Sequence, residues 1–557
     1  MGRIRVAAVG AVLIVLAATV LQVVRADRAC QGQFTYAMDE AYAHLTLARQ
    51  MAAGGNADDH ATAAQALAGS ASPLWTSLLA GLVRLTGDPA SAADPGWIER
   101  LKPLTPLMLN LLAAAMLLLL VGHMLRRDVR SSWGILGRLL AMAAIMPVPL
   151  LVLTGMEHLA HAFALLLAVG VGIELIERER LAAGPLLLAA LWVALAVGLR
   201  YESLAAALGL LLWAWIRRRT LRALLPVVAA VSVVSGVGVF LAVHGESWLP
   251  DAMRLRLLDG GGGWGEWVER AIARAVSNLR EALVPAVLVM VAATMLWSRR
   301  EQQSSPDADD RIRVAWLFVF VVAGAVHLLL GPADDRLRYT AYLVPLGSVA
   351  ILRALANRPG AKWAPSAPVG LRYSVMAVIC LLPLAAAAVP AVRAAWGAPE
   401  VCRDVYVRNR MAASFVRTFF PERVVGGDEI GALSYGTQAR VVDLPRARME
   451  RTFVQSAAPV AVAFQTGRAD GDFPTLRSWV RVGGWRPVPP VIGGGVSVYA
   501  PLDQEGDVRR ALRLFPKGLP EGVEIWLVEP EQQTASAPAG SRSAGSPGVE
   551  AGNASGQ

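Results

Sequence analysis

Charge is scarce in this chain. Asp, Glu, Lys and Arg make up 17% of its 557 residues, where a soluble domain carries about a quarter. That shortage excludes a single water-soluble globular protein of this length. Cysteine is scarcer still: Cys30, Cys380 and Cys402 are the only three. So few rule out a disulfide-dense scaffold, and their spacing contains no CxxC pair for a metal or redox centre. The dinucleotide fingerprint GxGxxG is missing; the glycines of "VGGDEIG" (Val425–Gly431) lack its spacing and read as turn glycines. No internal repeat is visible. A continuous basic stripe is missing too. The net charge is +10, but arginines sit in short clusters between apolar runs, so they read as membrane-orientation signals and no nucleic-acid partner is expected.

What is present in abundance is apolar sequence, 55% of the chain, with a mean hydropathy of +0.46. It comes in runs of roughly 15 to 22 residues, the length that crosses a bilayer as a helix. Val6–Val24, preceded by Arg3 and Arg5, reads as an uncleaved signal anchor. Further spans are expected near Leu104–Leu125, Ile135–Thr154, Leu159–Ile176, Pro185–Leu199, Leu204–Ile216, Leu221–Val243, Leu283–Trp297, Val314–Leu330, Tyr339–Leu352 and Val375–Val392. The expected architecture is therefore a multi-span α-helical membrane protein of about eleven helices. Alternate connections carry the arginines: Arg126, Arg127 and Arg130; Arg178 and Arg180; Arg217 to Arg219 and Arg222; Arg299 and Arg300; Arg353 and Arg358. By the positive-inside rule those connections and the N-terminus are cytoplasmic.

The remaining connections then share the outer face. They are residues 25–103, "TGMEH" (Thr154–His158), "GLRYES" (Gly198–Ser203), the long loop from His244 to Glu281, "GPADDRLRY" (Gly331–Tyr339) and everything after Arg393. Ionisable groups gather at these helix ends: Asp39, Glu40, Glu157, Arg200, Glu202, Asp334, Asp335, Arg336 and Arg338. A charge at the hydrocarbon boundary is costly unless paired, which makes each a functional candidate; the bland alternative is that they mark helix ends at the water interface. Trp264 and Trp267 fit an interfacial aromatic belt or a cover over a lipid substrate.

Residues 394–531 are less apolar and are expected to form a soluble α/β domain. "RVVGGDEIGALSYGTQARVVDLP" (Arg423–Pro445) reads as strand, turn, short helix and strand. "APVAVAFQ", "GVSVYAPL" and "EGVEIWLVEP" read as further strands. Residues 532–557 are Ala, Ser, Gly and Pro, a composition expected to be disordered.

The first outer segment holds "FTYAMDEAYAHLTLARQMAAGG" (Phe34–Gly55). Asp39 precedes a helix with Tyr42, Leu45 and Arg49 on one stripe, and Glu40 and His44 at i, i+4. Capping chemistry alone justifies both acids: Asp39 as N-cap and Glu40 in the first turn. Catalysis by a carboxylate is the other reading. Ser72-Pro73 is a second sound helix start.

These stretches resemble the GT-C class of integral-membrane glycosyltransferases, and in particular the polyprenyl-phosphate-sugar-dependent arabinofuranosyl and mannosyl transferases of mycobacterial type. "MDEAYAHLTLARQMAAGG" is similar to the acidic stretch after the family's first helix, and "SASPLW" (Ser70–Trp75) to the segment that follows it. "GMEH", "RYES" and "RYTAYLVP" (Arg338–Pro345) are similar to later family segments in the same order. "GDEIGALSYGTQARVVDL" (Gly427–Leu444) resembles a stretch of the family's soluble region. Two departures, "NADDHATAAQALA" (Asn56–Ala68) and "DLPRA" (Asp443–Ala447), lie in loops that would shape an acceptor site. "DDH" (Asp58–His60) reads as solvated loop ahead of metal ligands.

The resemblance implies an inner-membrane enzyme that takes a sugar from a polyprenyl-phosphate donor. The acceptor would be an envelope glycan or glycolipid on the periplasmic side, where the C-terminal domain also lies. It implies Asp39 as catalytic base, with Glu40 second, and a substrate-binding set of Arg49, Glu157, Arg200, Glu202, Arg336, Arg338 and Tyr339. Guanidinium groups suit a lipid phosphate, and the glutamates would orient them. No cofactor is implied with certainty; a divalent metal stays open. A transporter or lipid flippase, or an inactive relative acting as a scaffold, stands as the alternative. Cys30 and Cys402, both just beyond outer helix ends, are expected to form a disulfide.

Overall fold

The computed structural model describes residues 2–53, 72–85, 102–126, 128–129, 131–178, 183–217, 225–244, 247–248, 264–300, 308–331, 339–355, 388–421, 423–427, 429–437, 440–443, 462–466, 479–487, 496–520 and 522–528. Asp58–His60, Asp334, Asp335, Arg336, Arg338, Cys380, most of the last expected span and the tail lie outside them. The chain divides into two compact units, Met1–Tyr406 and Val407–Gln557.

The first unit is helical. Its helices are α1 (Gly2–Ala29), α2 (Glu40–Ala53), α3 (Pro73–Leu85), α4 (Thr105–Leu125), α5 (Ser132–Ile145), α6 (Val148–Leu153), α7 (His158–Arg178) and α8 (Ala183–Leu199). They continue with α9 (Ser203–Ile216), α10 (Leu225–Val243), α11 (Trp264–Glu281), α12 (Leu283–Arg300), α13 (Ala308–Leu330), α14 (Leu343–Leu355) and α15 (Ala398–Val405). Among the described residues, α1, α4, α7, α10 and α13 are long and apolar enough to cross a membrane, and a sixth span results if α11 and α12 count as one bent pair. At 1.5 Å per residue the 21 residues of α4 cover about 31 Å, the thickness of a hydrocarbon core. The helices α3, α5, α8, α9 and α14 are apolar but shorter, 13 to 17 residues.

The expected span over 135–154 is broken. α5 ends at Ile145 and α6 starts at Val148, with Pro147 between them and Pro149 inside the next turn. A proline has no N–H to donate and its ring collides with the carbonyl four residues back, so two in three positions end the helix.

At the arginine-rich helix ends, buried carboxylates tie helices together. Glu177 of α7 accepts from Trp213 Nε1 of α9 at 2.8 Å and from Arg311 Nε of α13 at 2.9 Å. Asp128 pairs with Arg313 of α13 and Arg353 of α14, each at 3.4 Å. Cys30 follows α1 and Cys402 lies in α15, which packs against α1. Both are buried thiols in this structure, so the disulfide expected between them is not formed here. Each acts as a small buried side chain in helix packing, a common role for cysteine.

The second unit carries a six-stranded sheet: β1 (Val424–Gly427), β2 (Arg440–Asp443), β3 (Val462–Thr466), β4 (Trp479–Pro487), β5 (Val496–Pro501) and β6 (Val523–Leu527). The order is β2-β1-β3-β5-β4-β6. β1 runs parallel to β2 and β3, and the other pairings are antiparallel. A short helix, Gly431–Gly436, links β1 to β2, as read from the sequence. Its core gathers Phe415, Trp485 and Phe515, with ring centroids 5.1 to 5.8 Å apart, and the Trp485 indole donates to Val407 O at 2.8 Å.

Candidate functional site

In the first unit, segments far apart in sequence meet at one end of the helices. The Phe34–Ala41 stretch docks on "TGMEH": Ala37 N donates to Leu153 O at 2.9 Å. Tyr36 is buried and its hydroxyl donates to Pro103 O, while its backbone N–H donates to the Tyr42 hydroxyl at 3.1 Å. Gly155 makes the approach possible. Its φ is +68°, and a Cβ there would lie 2.7 Å from the Tyr36 ring and 2.8 Å from Ala41 Cβ. Gly155→Ala is therefore expected to lower the melting temperature. The left-handed backbone costs roughly 1–2 kcal/mol and the overpacking a further ~1–3 kcal/mol. A melt of detergent-solubilised protein checks it, and an unchanged midpoint would mean the two stretches are not held in contact.

At the centre of the site is Arg200, fully buried. Its Nε and Nη2 donate to the two oxygens of Glu202 at 3.2 and 2.9 Å, a bidentate pair. Its Nη1 donates to Glu157 Oε1 at 2.7 Å and lies 3.1 Å from His158 Nδ1. Four of these N–H···acceptor contacts consume most of the five donors a guanidinium has. Burial alone disfavours the charge, but Glu202 and Glu157 outweigh it and hold Arg200 protonated. Helix ends assist. Arg200 follows the last residue of α8, Glu157 precedes α7 and Glu202 is the N-cap residue of α9. Cations are favoured at helix C-termini and anions at N-termini.

Glu157 is buried and its Oε2 meets no hydrogen-bond donor among the described residues. Facing it at 4.0 Å is His44 Nε2 of α2. The other ring nitrogen of His44 lies 2.8 Å from the Thr76 hydroxyl of α3, which itself donates to Ser72 O at 3.2 Å. The Thr76 hydroxyl has one proton for two acceptors, Ser72 O and His44 Nδ1, so these contacts alone do not fix which ring nitrogen of His44 carries the proton.

Burial pushes the His44 imidazole below its ordinary value, against the opposing pull of Glu157 and Glu40. The unfolded chain then binds a proton near pH 6.5 that the folded protein refuses. Stability conferred by neutral His44 is present above pH 6.5 and is lost as pH falls below it. His44→Gln is expected to flatten the fall in melting temperature between pH 7.5 and 5; an identical pH slope in the variant refutes this.

Tyr339 completes this edge, with the Arg200 guanidinium carbon 5.0 Å from its ring centroid and the His158 ring 6.4 Å away. Behind Arg200 a second polar row continues: His161 Nε2 lies 2.7 Å from the Ser203 hydroxyl, its ring sits 5.0 Å from that of Tyr342, and the Tyr342 hydroxyl lies 3.1 Å from His327 Nδ1. Burial raises the Tyr201 phenol above its usual range.

Asp39 stands at the start of α2, half-buried, its carbonyl accepting from Tyr42 N at 2.9 Å and Ala43 N at 3.2 Å. Glu40 lies close enough to His44 to raise its proton affinity. Arg49 is half-buried farther along α2. Thus Glu157, Arg200, Glu202 and Tyr339 form one cluster, Asp39 and Glu40 begin the helix that enters it, and Arg336 and Arg338 lie outside the described residues. Thr76, His158, His161, Ser203, His327 and Tyr342 were not singled out from sequence. His161 and His327 had a usable signal, since an ionisable residue inside an apolar helix is a functional candidate.

An apolar cleft of about 420 Å³ opens between α3, α8 and α10, lined by Leu74, Ser77, Leu195, Gly198, Val233 and Phe240. Ser77 adjoins Thr76 in sequence, and Gly198 stands two residues before Arg200. Among the described residues no group of three or more His, Cys, Asp or Glu is arranged to hold a metal ion. No known family model matches this chain, and no curated protein matches it either.

Proposed function

We propose that the helical unit is a glycosyltransferase of the bacterial inner membrane, moving a sugar from a polyprenyl-phosphate donor to an envelope glycan or glycolipid on the periplasmic side. The observation that carries this reading is the convergence of the stretches that resemble GT-C segments. "MDEAYAHL" supplies His44, "SPLWT" supplies Thr76, "GMEH" supplies Glu157, "RYES" supplies Arg200 and Glu202, and "RYTAYLVP" supplies Tyr339, all within one buried polar cluster.

In this reading Asp39 removes the proton of the acceptor hydroxyl as it attacks the anomeric carbon, and Glu40 is its neighbour and reserve. The anionic lipid phosphate departs toward Arg336 and Arg338. Arg200 has most of its donors engaged by Glu157 and Glu202, which casts it as the organiser of the cluster rather than a phosphate clamp. Arg49 has the weaker role, at the edge of the donor. The apolar cleft beside the cluster suits an isoprenoid chain. The N-terminus would be cytoplasmic and the C-terminal unit periplasmic.

Mass spectrometry of envelope glycans from cells with and without the protein tests this. Loss of one glycosyl residue from a defined glycan supports it. An unchanged glycan profile, together with altered lipid transport, would favour the flippase alternative.

A further inference from the structure

The C-terminal half of the amphipathic helix α11 is mounted the wrong way round for a water-soluble helix. The polar residues of its C-terminal half face the protein, while Glu266 and Glu269 near its start are exposed. Asn278 is buried and its Nδ2 donates to Leu328 O at 2.8 Å and Gly331 O at 3.0 Å; Arg274 Nη1 donates to Leu330 O at 3.3 Å. These carbonyls belong to the last turn of α13 and the residue after it, groups that have no partner within their own helix. An arginine there also opposes the negative end of the helix dipole. The apolar stripe faces outward: Ile272, Val276 and Leu279 are 58%, 46% and 52% exposed. Spaced at four and three residues, they form one continuous row.

Position says what covers that row. α13 is one of the helices fit to cross a membrane, and it ends at Leu330, so the contacts of Arg274 and Asn278 fix α11 at a membrane boundary. α11 then meets α12 at an angle of 99°. Leu283 and Met290 of α12 and Leu329 in the end turn of α13 are exposed as well. A row that is apolar, exposed and held at the end of a helix fit to cross the membrane fits lipid. Arg274 and Asn278 on its other side are already engaged by protein.

We propose that α11 is an in-plane membrane helix, lying along the bilayer surface with Ile272, Val276 and Leu279 in the acyl boundary. By clamping the end of α13 it anchors the start of the Gly331–Tyr339 connection at the lipid surface. The partner is the bilayer itself. This holds whether or not the protein is a transferase, since it needs only the membrane-spanning character of α13.

Nitroxide accessibility on the full chain in phosphatidylcholine–phosphatidylglycerol liposomes tests it. Labels are placed by Ile272→Cys, Val276→Cys and Leu279→Cys, with Glu266→Cys and Glu269→Cys on the more polar half, and labelling of the unsubstituted protein gives the background from native thiols. All three apolar positions are expected to be reached by oxygen more than by a nickel chelate. They should share one depth, about 5–10 Å below the phosphates. Three outcomes overturn the proposal: preferential nickel access, which means an aqueous face; protection from both reagents, which means a protein partner or a second copy; and depth that increases steadily toward Leu279, which means that α11 and α12 form one broken span.

Discussion

Replacing Arg200 by alanine is expected to be among the most destabilising single changes in the helical unit. The substitution leaves Glu157 and Glu202 buried without the cation that both share at 2.7 to 3.2 Å. Breaking a buried ion pair by removing one partner costs about 3–5 kcal/mol, because the remaining charge keeps its desolvation penalty and loses its compensation. The two carboxylates also lie within one cluster, so the loss is felt by both.

Arg200→Lys should lie between the variant and the wild type. Lysine keeps a charge but cannot reproduce the fork that meets both Glu202 oxygens while reaching Glu157. The pH dependence carries the diagnosis. Without Arg200, burial raises the folded-state proton affinity of the carboxylates above that of the unfolded chain. Stability is then greatest at low pH and is lost as pH rises through the raised value. Acidification should therefore narrow the gap between Arg200→Ala and wild type. Thermal melts from pH 4 to 8 measure this. If Arg200→Ala melts with wild type across that range, the triad is not a closed, desolvated unit.

The largest effect on activity is expected from Asp39→Asn. Removing a general base costs ~10²–10⁴ in rate. Asparagine is nearly isosteric and is as good an N-cap as aspartate, so α2 keeps its start and the melting temperature should hardly move. That separation is the strength of the test. The capping account of Asp39 predicts neither loss, and the catalytic account predicts loss of rate alone. Transfer by purified, reconstituted protein is the readout, with Glu40→Gln alongside. Wild-type turnover in Asp39→Asn with strong loss in Glu40→Gln would move the base by one residue. Wild-type turnover in both would sink the assignment of the base to this acidic pair. Glu157→Gln is a poor substitute for this experiment, since it also removes a partner of Arg200.

Local sequence determined much of this protein. Apolar runs such as Thr105–Leu125 and Leu225–Val243 became helices, since a backbone in an apolar surround must satisfy its own N–H and C=O groups. The Asp39 and Ser72-Pro73 helix starts, the strand–helix–strand at Val424–Asp443 and the gathering of charges at helix ends were all legible, because capping, periodicity and desolvation act within a few residues. Pro147 and Pro149 were legible too, yet the run around them reads as one span by hydropathy alone; the break belongs to backbone chemistry that hydropathy does not weigh.

Tertiary structure decided the rest. The strand Trp479–Pro487 is not among the strands expected from sequence, and its Gly-Gly pair is explained by its pairing with β5 and β6: a Cβ at Gly483 or Gly484 would strike Trp526 O or Val496 O. The cluster itself is of the same kind. Glu157 and Arg200 are recognisable as helix-end charges, but nothing local says that a guanidinium 43 residues away will be consumed by them. Nor does anything local set His44 Nε2 4.0 Å from Glu157. Those distances come from the packing of α2, α3, α7, α8 and α9. Burial then turns distance into energy: in water the same charges would be screened, whereas here each must be answered by a partner from another helix.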